Sequence, residues 1–236
     1  MSPPQKPIVY IISAPSGSGK STLVNELLRL VPGLDFSISY TTRSPRGSEQ
    51  NGKQYYFVSR EEFEQMIRDD EFLEHASLYG KDYYGTARRF LREAEQKGND
   101  LLLDIDVQGA AQIKQKLPDA VSIFVLPPDR KTLEWRLRKR GEDSEVVIER
   151  RLDEARREIE NYDKYDYILI NDKLQESSDN LQAIVESERL RQSGRPLTSD
   201  ETAIVDVADV HRLANARHKV LPILASFRTP SPSARP

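Results

Sequence analysis

The sequence predicts an α/β fold, with a parallel sheet flanked by helices and a mixed or antiparallel subdomain inserted into it. Three observations carry this. Short apolar runs of the buried-strand kind alternate with amphipathic helical patterns through most of the chain. The first such run, Ile8-Val9-Tyr10-Ile11-Ile12, passes directly into a Gly-rich turn and then a helix-forming segment. Between residues 36 and 84 the strand-like stretches crowd together with little helix between them.

Taken in order, Val24, Leu27, Leu28 and Val31 recur at helical spacing, and Pro32-Gly33 ends that helix. Residues 36–40 read as a short strand and 41–53 as a polar loop. Residues 55–58 are aromatic and β-branched, hence a strand. Ser59 followed three residues later by Glu62 predicts a capping box, with Phe63, Met66 and Ile67 on the apolar face behind it. Residues 72–84 read as strand and turn, and 86–97 as a helix closed by Gly98. A buried strand then ends in Asp104-Ile105-Asp106, a helix covers 108–117, and residues 121–126 form another buried strand. Asp129 is placed to cap a helix carrying Leu133 and Leu137. A polar turn at 141–144, a long charged helix to about 161, a strand at 167–170 and a helix over 174–192 follow. Past Gly194-Arg195-Pro196 the pattern weakens: Val207, Val210, Leu213 and Ala214 mark one short helix, and the Pro/Ser-rich residues 229–236 read as disordered.

At 236 residues the chain can bury one substantial core. A net charge of −3 gives no global pull toward a nucleic-acid polymer or an anionic membrane. With no cysteine there are no disulfides, thiolate metal sites or Cys nucleophile. The first apolar run is too short for a membrane span or secretory core, so the expectation is a soluble, cytoplasmic protein.

Four segments could carry chemistry. Ala14-Pro15-Ser16-Gly17-Ser18-Gly19-Lys20-Ser21-Thr22 has the make-up of a phosphate cradle, although alanine stands where the strict pattern begins with glycine. Backbone N–H groups and the positive end of the next helix can face phosphates there. Lys20 can reach β and γ oxygens, and the Ser21 hydroxyl can join the shell of Mg²⁺. Second, the strand ending in Asp104 delivers a carboxylate to the sheet edge where α/β folds bind ligands. Asp104 or Asp106 there can hold Mg²⁺, directly or through water, or can cap the following helix. Third, eight arginines lie from Arg130 to Arg157. Arg156 and Arg157, beside Glu154 and Glu158, read as a solvated face. Arg136, Arg140 and Arg151 bracket the turn around Gly141 and suit a lid that brings guanidinium groups to phosphate and excludes water. Fourth, Ser39-Tyr40-Thr41-Thr42-Arg43-Ser44-Pro45-Arg46, followed by Asn51-Gly52-Lys53-Gln54-Tyr55, suits a second anion such as a monophosphate, or is an exposed basic loop. His75, His211 and His218 have no metal spacing.

Together, Ser13-Ala14-Pro15-Ser16-Gly17, Thr41-Thr42-Arg43-Ser44-Pro45-Arg46, Asn51-Gly52-Lys53, Leu103-Asp104-Ile105-Asp106-Val107-Gln108-Gly109 and Asn171-Asp172 resemble the guanylate kinase family over residues 8–191. The resemblance implies Mg²⁺-assisted transfer of the ATP γ-phosphoryl group to GMP, and to dGMP. It implies a P-loop kinase domain over 1–193: a core at 6–35, 95–129 and 161–193, a GMP-binding insertion at 36–94 and a helical lid at 130–160. An extension at 194–236, partly disordered, has no family counterpart. By motif, residues 14–22 and Asn171 resemble the ATP site, and Lys20, Arg136, Arg140 and Arg151 the catalytic cations. Arg43, Arg46, Tyr55 and Tyr84 resemble the holders of the GMP phosphate; anchoring on Gly85-Thr86 selects Tyr84 over Tyr83. Ser39, Glu74 and Thr86 resemble the readers of guanine. Asp106 resembles the acidic GMP contact, and Asp104 stands with Ser21 beside Mg²⁺. A carboxylate can accept from guanine N1–H and N2–H₂, a donor pair adenine lacks. Lys173 stands where the family often has Asp, at the edge of the adenine site. The implied partners are ATP and GMP, with no nucleic-acid polymer and no membrane; a homo-oligomer is left open.

Two rival readings are a non-catalytic protein-binding module of the same fold and a P-loop kinase for another small molecule. Lys20, Ser21 and the loop glycines argue against the first, and Glu74 with the Ser39 and Thr86 hydroxyls against the second.

Overall fold

The structure is a computed structural model, and it describes residues 6–78, 81–139, 141 and 143–228. In chain order the elements are β1 (Val9–Ser13), α1 (Lys20–Leu30), β2 (Leu34–Phe36), β3 (Tyr40–Thr41), β4 (Tyr56–Phe57), α2 (Arg60–Arg68), β5 (Phe72–Leu78), β6 (Asp82–Ala87), α3 (Arg89–Lys97), β7 (Asp100–Asp104) and α4 (Val107–Lys116). There follow β8 (Val121–Leu126), α5 (Arg130–Lys139), α6 (Glu145–Ile159), a 3₁₀ turn at Tyr162–Lys164, β9 (Tyr167–Ile170), α7 (Leu174–Ser193), α8 (Ser199–Asp209) and α9 (Leu213–Ser226). A five-stranded sheet has the order β2-β7-β1-β8-β9, with β2–β7 and β8–β9 parallel. A four-stranded sheet, β4-β3-β6-β5, is mixed: β3–β4 is parallel, while β3–β6 and β5–β6 are antiparallel. The α/β class with a second, mixed sheet is the expected one.

The chain divides into two compact units, one of residues 1–11 and 32–121, the other of 12–31 and 122–236. In the first, the Ser59/Glu62 capping box is present and starts α2: Glu62 N–H donates to Ser59 Oγ at 3.1 Å, and Ser59 N–H to Glu62 Oε2 at 2.9 Å. That start sets the phase that buries Phe63, whose ring stacks on Phe72 at 4.4 Å and Tyr83 at 5.2 Å, an aromatic core under the mixed sheet. All six residues of β8, which enters the second unit at Ser122, are buried, as a strand covered on both faces requires. α1 packs on α7, and the two helices bury Leu23, Val24 and Leu27 and Leu181, Ile184 and Val185, respectively. Each such side chain contributes about 1.5–3 kcal/mol by leaving water.

Three local expectations change, and one open alternative, at Asp106, is met. The apolar run 36–40 is not one strand: Phe36 closes β2, Ser37 N–H still donates to Leu102 O at 3.0 Å, and Tyr40 opens β3 in the other sheet. Thr86 is on β6 rather than on a helix, because it pairs with Glu74 and α3 begins only at Arg89. Asp106 is a helix cap: its Oδ1 accepts from Gln108 N–H at 3.0 Å and Gly109 N–H at 2.8 Å. Beyond Gly194 there are two helices, not one, and the first opens with a Thr198/Glu201 capping box. The disorder expected of residues 229–236, and the position of Arg140, lie outside the described residues. Among the described residues no helix is long and apolar enough to cross a membrane.

Candidate active site

The phosphate loop is held within the second unit. Gly17 and Gly19 have φ of +94° and +88°, which side chains rarely adopt, and Ser18 N–H closes the turn on Pro15 O at 3.0 Å. A side chain at Gly19 would also collide with Asn171, whose Nδ2 lies 2.4 Å from where its Cβ would be. Asn171 is 5% exposed at the end of β9, and its Nδ2 donates to Ser18 O at 2.7 Å. Arg136 of α5 donates to the carbonyls of Asn171 at 2.9 Å, Asp172 at 3.3 Å and Ser18 at 3.4 Å. Leu133, one turn before it, and Leu137, the next residue, cover Gly17 closely. The loop is thus clamped from β9 and α5.

What the clamp leaves is suited to an anion. α1 begins at Lys20 with no side-chain cap on its first turn, so its N-terminal dipole is available to phosphate. The Ser18 hydroxyl is fully buried and has no hydrogen-bond partner among the described residues, as does that of Ser13 at the end of β1. Ser16, Ser21 and Thr22 are exposed, Pro15 is buried, and Ala14 and Lys20 are half-buried. Of the three expected catalytic arginines, Arg136 is bound to backbone carbonyls, and Arg151 of α6 pairs with Asp143 at 2.9 Å; Arg140 is not described.

The expected GMP residues lie in the first unit and form two clusters. In one, Arg43 is 8% exposed and spends its donors on Glu49 Oε2 at 2.8 Å, Glu49 Oε1 at 3.0 Å, Ser44 O at 2.8 Å and the Tyr84 hydroxyl at 3.1 Å. Its guanidinium lies 5.2 Å from the Tyr55 ring centre, and Tyr55 meets Tyr84 edge-on at 5.8 Å. Burial, with Tyr84 and Asp104 nearby, raises the Tyr55 pKa, so its hydroxyl stays a donor. Tyr83, the alternative to Tyr84, instead accepts from Arg60 at 3.1 Å. Arg46 is exposed, and its backbone N–H donates to Glu49 Oε2 at 2.7 Å.

In the other cluster Glu74 is 4% exposed and Thr86 is fully buried, with Thr86 Oγ1 donating to Glu74 Oε1 at 2.7 Å. Burial pushes the Glu74 carboxyl up to about 7; the Thr86 hydroxyl opposes this and the charge of Asp106 adds to it. A Cβ at Gly109 would sit 2.8 Å from Glu74 Oε2, so glycine there makes room for the carboxylate. Two side chains fix α4 to β5 and so set that approach. Gln112 Nε2 donates to His75 O at 2.8 Å, and Lys116 Nζ to Leu73 O at 2.6 Å. Ser39 and Asp104 are half-buried, Ser39 just before β3 and Asp104 ending β7.

Glu49, Gln112 and Lys116 were not singled out from the sequence, and Gly109 entered only as the end of the 103–109 motif, with no role given to it. A carboxylate six residues after Arg43 in a basic loop was a usable signal for Glu49. The others are visible only once α4 is seen against β5.

Comparison with known proteins bears on the family and the fold. A family model described as guanylate kinase matches residues 6–188. The chain is 57% identical over 223 residues to a guanylate kinase of Koribacter versatilis, covering 93% of this chain and 95% of that protein. It is 49% identical over 187 residues to a guanylate kinase of Escherichia coli, covering 78% and 90%. The first alignment therefore runs well into the segment past Gly194, which the family match does not reach. A crystal structure of guanylate kinase from Anaplasma phagocytophilum superposes with a TM-score of 0.64 at 34% identity, covering 78% of this chain and 87% of that one.

Proposed function

Because the chain belongs to the guanylate kinase family, we propose that it transfers the γ-phosphoryl group of ATP to GMP, yielding ADP and GDP, in cytoplasmic nucleotide metabolism, and that dGMP is a second acceptor. The buried Glu74–Thr86 pair carries the choice of acceptor: a carboxylate held open by Gly109 matches the N1–H and N2–H₂ donors of guanine and nothing on that edge of adenine. Ser39 and Asp106 complete the base and sugar side in this reading. Asp106 has one carboxylate oxygen committed to its helix cap and contacts GMP with the other.

Arg43, Arg46, Tyr55 and Tyr84 hold the GMP phosphate. Support comes from the Arg43–Tyr84 hydrogen bond and the Tyr55 ring beside the guanidinium. On the donor side, the residue 14–22 loop and the α1 N-terminus bind the triphosphate, and Asn171 and Arg136 keep the loop in shape. Lys20, Arg140 and Arg151 neutralise charge on the transferring group; Arg151 exchanges Asp143 for phosphate. No general base is needed, because the acceptor is already a phosphate oxygen.

Hard oxygen donors fit Mg²⁺: the Ser21 hydroxyl is exposed in the first turn of α1, and the Asp104 carboxylate ends β7. Each has the donor chemistry to hold the ion together with phosphate oxygens and water, and the ion would offset phosphate charge.

Coupled measurement of ADP release with GMP, dGMP, AMP, UMP or no acceptor tests the proposal. Release should require GMP or dGMP; equal release with AMP, or with no acceptor, overturns it. Lys20→Met should lower turnover by roughly a thousandfold and leave GMP binding intact.

A further inference from the structure

Residues past Gly194 lie outside the family match, yet they are built into the second unit. α8 packs along α7 and buries Ala208. The chain then adds to the edge of the five-stranded sheet. Ile168 N–H donates to His211 O at 2.8 Å, Leu213 N–H donates to Asp166 O at 2.9 Å, and Tyr167 and Arg212 form an antiparallel bridge. A charged latch fastens the junction. Arg212 donates to Glu188 at 2.8 Å and to Asp209 at 2.9 Å, Arg191 donates to Asp209 at 2.6 Å, and the Tyr167 hydroxyl is bonded to Glu188. From there α9 buries Ala216, Val220 and Ile223 along one face, and Phe227 just past its end, packing toward β9 and α5.

Its last turn meets the first turn of α5. Ser226 Oγ accepts from Arg130 N–H at 3.0 Å and donates to Ile223 O at 2.6 Å. The first turn of a helix has N–H groups without partners inside the helix. In α5 Asp129 Oδ1 takes Thr132 N–H at 2.6 Å, and the extension supplies the acceptor for Arg130 N–H. This is the helix whose Leu133, Arg136 and Leu137 cover and clamp the phosphate loop.

We propose that the extension is a positioning element for the triphosphate site: α9, through Ser226, sets the seating of α5, and α5 sets the shape of the loop at Gly17 and Ser18. The inference rests on reading that loop as the ATP site. It assigns to Ser226 and the Arg212 latch an effect on donor affinity that leaves the acceptor untouched, since the residues read as binding GMP lie in the other unit.

The test is a split between substrates. In the full chain, Ser226→Ala should raise the ATP KM and the ADP Kd by about threefold to tenfold, the scale of one helix-terminal hydrogen bond. The GMP KM should stay within about twofold, and Ser226→Thr should restore ATP affinity. Arg212→Gln should act the same way from the far end of α9. A chain ending at residue 193 should show the largest loss; if it does not fold, the two point variants decide. Lowered melting temperature with an unchanged ATP KM in both variants means simple stabilisation and overturns the proposal, as does an equal rise in both KM values. Direct ADP binding to the unaltered chain and to Lys20→Met separates the premise. If loss of Lys20 leaves ADP binding unchanged, the reading of the loop has failed, whatever Ser226 does.

Discussion

Glu74 has to act as an anion where burial resists it. Its carboxyl sits near 7 in the free protein, above the ordinary 4.5, chiefly because it is desolvated. Two consequences follow with opposite signs. Guanine binding uses the carboxylate, so GMP affinity should fall as pH drops through 7, with the GMP KM rising about tenfold from pH 8 to pH 6. The ATP KM should not follow that slope, and Glu74→Gln should abolish it; initial rates over that range check both. Folding, by contrast, favours the proton. A raised folded-state pKa means the stabilising contribution is complete below the ordinary value and is lost as pH rises through about 7. Glu74→Gln keeps an acceptor for Thr86 and needs no buried charge. Without nucleotide at pH 8 it should therefore be more stable by about 1–3 kcal/mol, read as a higher melting temperature. Gly109→Ala attacks the same carboxylate by volume, since the new Cβ falls 2.8 Å from Glu74 Oε2. It should raise the GMP KM and leave the ATP KM alone; equal kinetics would mean that α4 yields.

At the scale of elements, the segment between β3 and β4 is organised by one carboxylate. Glu49 accepts from the two terminal guanidinium nitrogens of Arg43 and from the backbone N–H of Arg46, so it fixes the two arginines read as the phosphate clamp. The pair is mostly shielded, with the Arg43 side chain 9% and that of Glu49 23% exposed, so removing one partner leaves the other charge poorly compensated. Glu49→Gln should raise the GMP KM by about fivefold to twentyfold with little change for ATP; a lowered GMP KM would show that Glu49 competes with the phosphate instead of placing its ligands. Such elements were unevenly legible. β8 and β9 could be read to the residue, because a buried apolar run with a turn at each end has one interpretation. The run at 36–40 could not, because β propensity does not say that a chain leaves one sheet and joins another within four residues. Thr86 was drawn into a helix because α3 starts at Arg89 with no side-chain cap from Arg88 to mark it. α8 had a legible signal, Thr198 with Glu201, that hydrophobic periodicity hid.

Over the whole molecule, the two kinds of chemistry are sorted by unit. The phosphate loop, Asn171, α5 and α6 belong to residues 12–31 and 122–236, and the Arg43 and Glu74 clusters to residues 32–121. The motifs themselves were legible, since each is a short run of residues tied to one turn or strand end. What no motif could show is the third-party support: α9 on α5, and Gln112 and Lys116 tying α4 to β5, each a contact between residues far apart in sequence. This sorting predicts how each nucleotide alone tightens the protein. A ligand that binds only the folded form suppresses the local openings of the elements it touches. Hydrogen exchange with GMP alone should therefore slow amides in β3, β5, β6 and the first turn of α4, while α5 and the loop at 14–19 exchange as in the free protein. ADP alone should do the reverse, slowing the loop, the first turn of α1 and α5. In Ser226→Ala the ADP effect on α5 should shrink and the GMP pattern should persist. If GMP alone protects α5 as strongly as ADP does, the assignment of each nucleotide to its own unit is wrong.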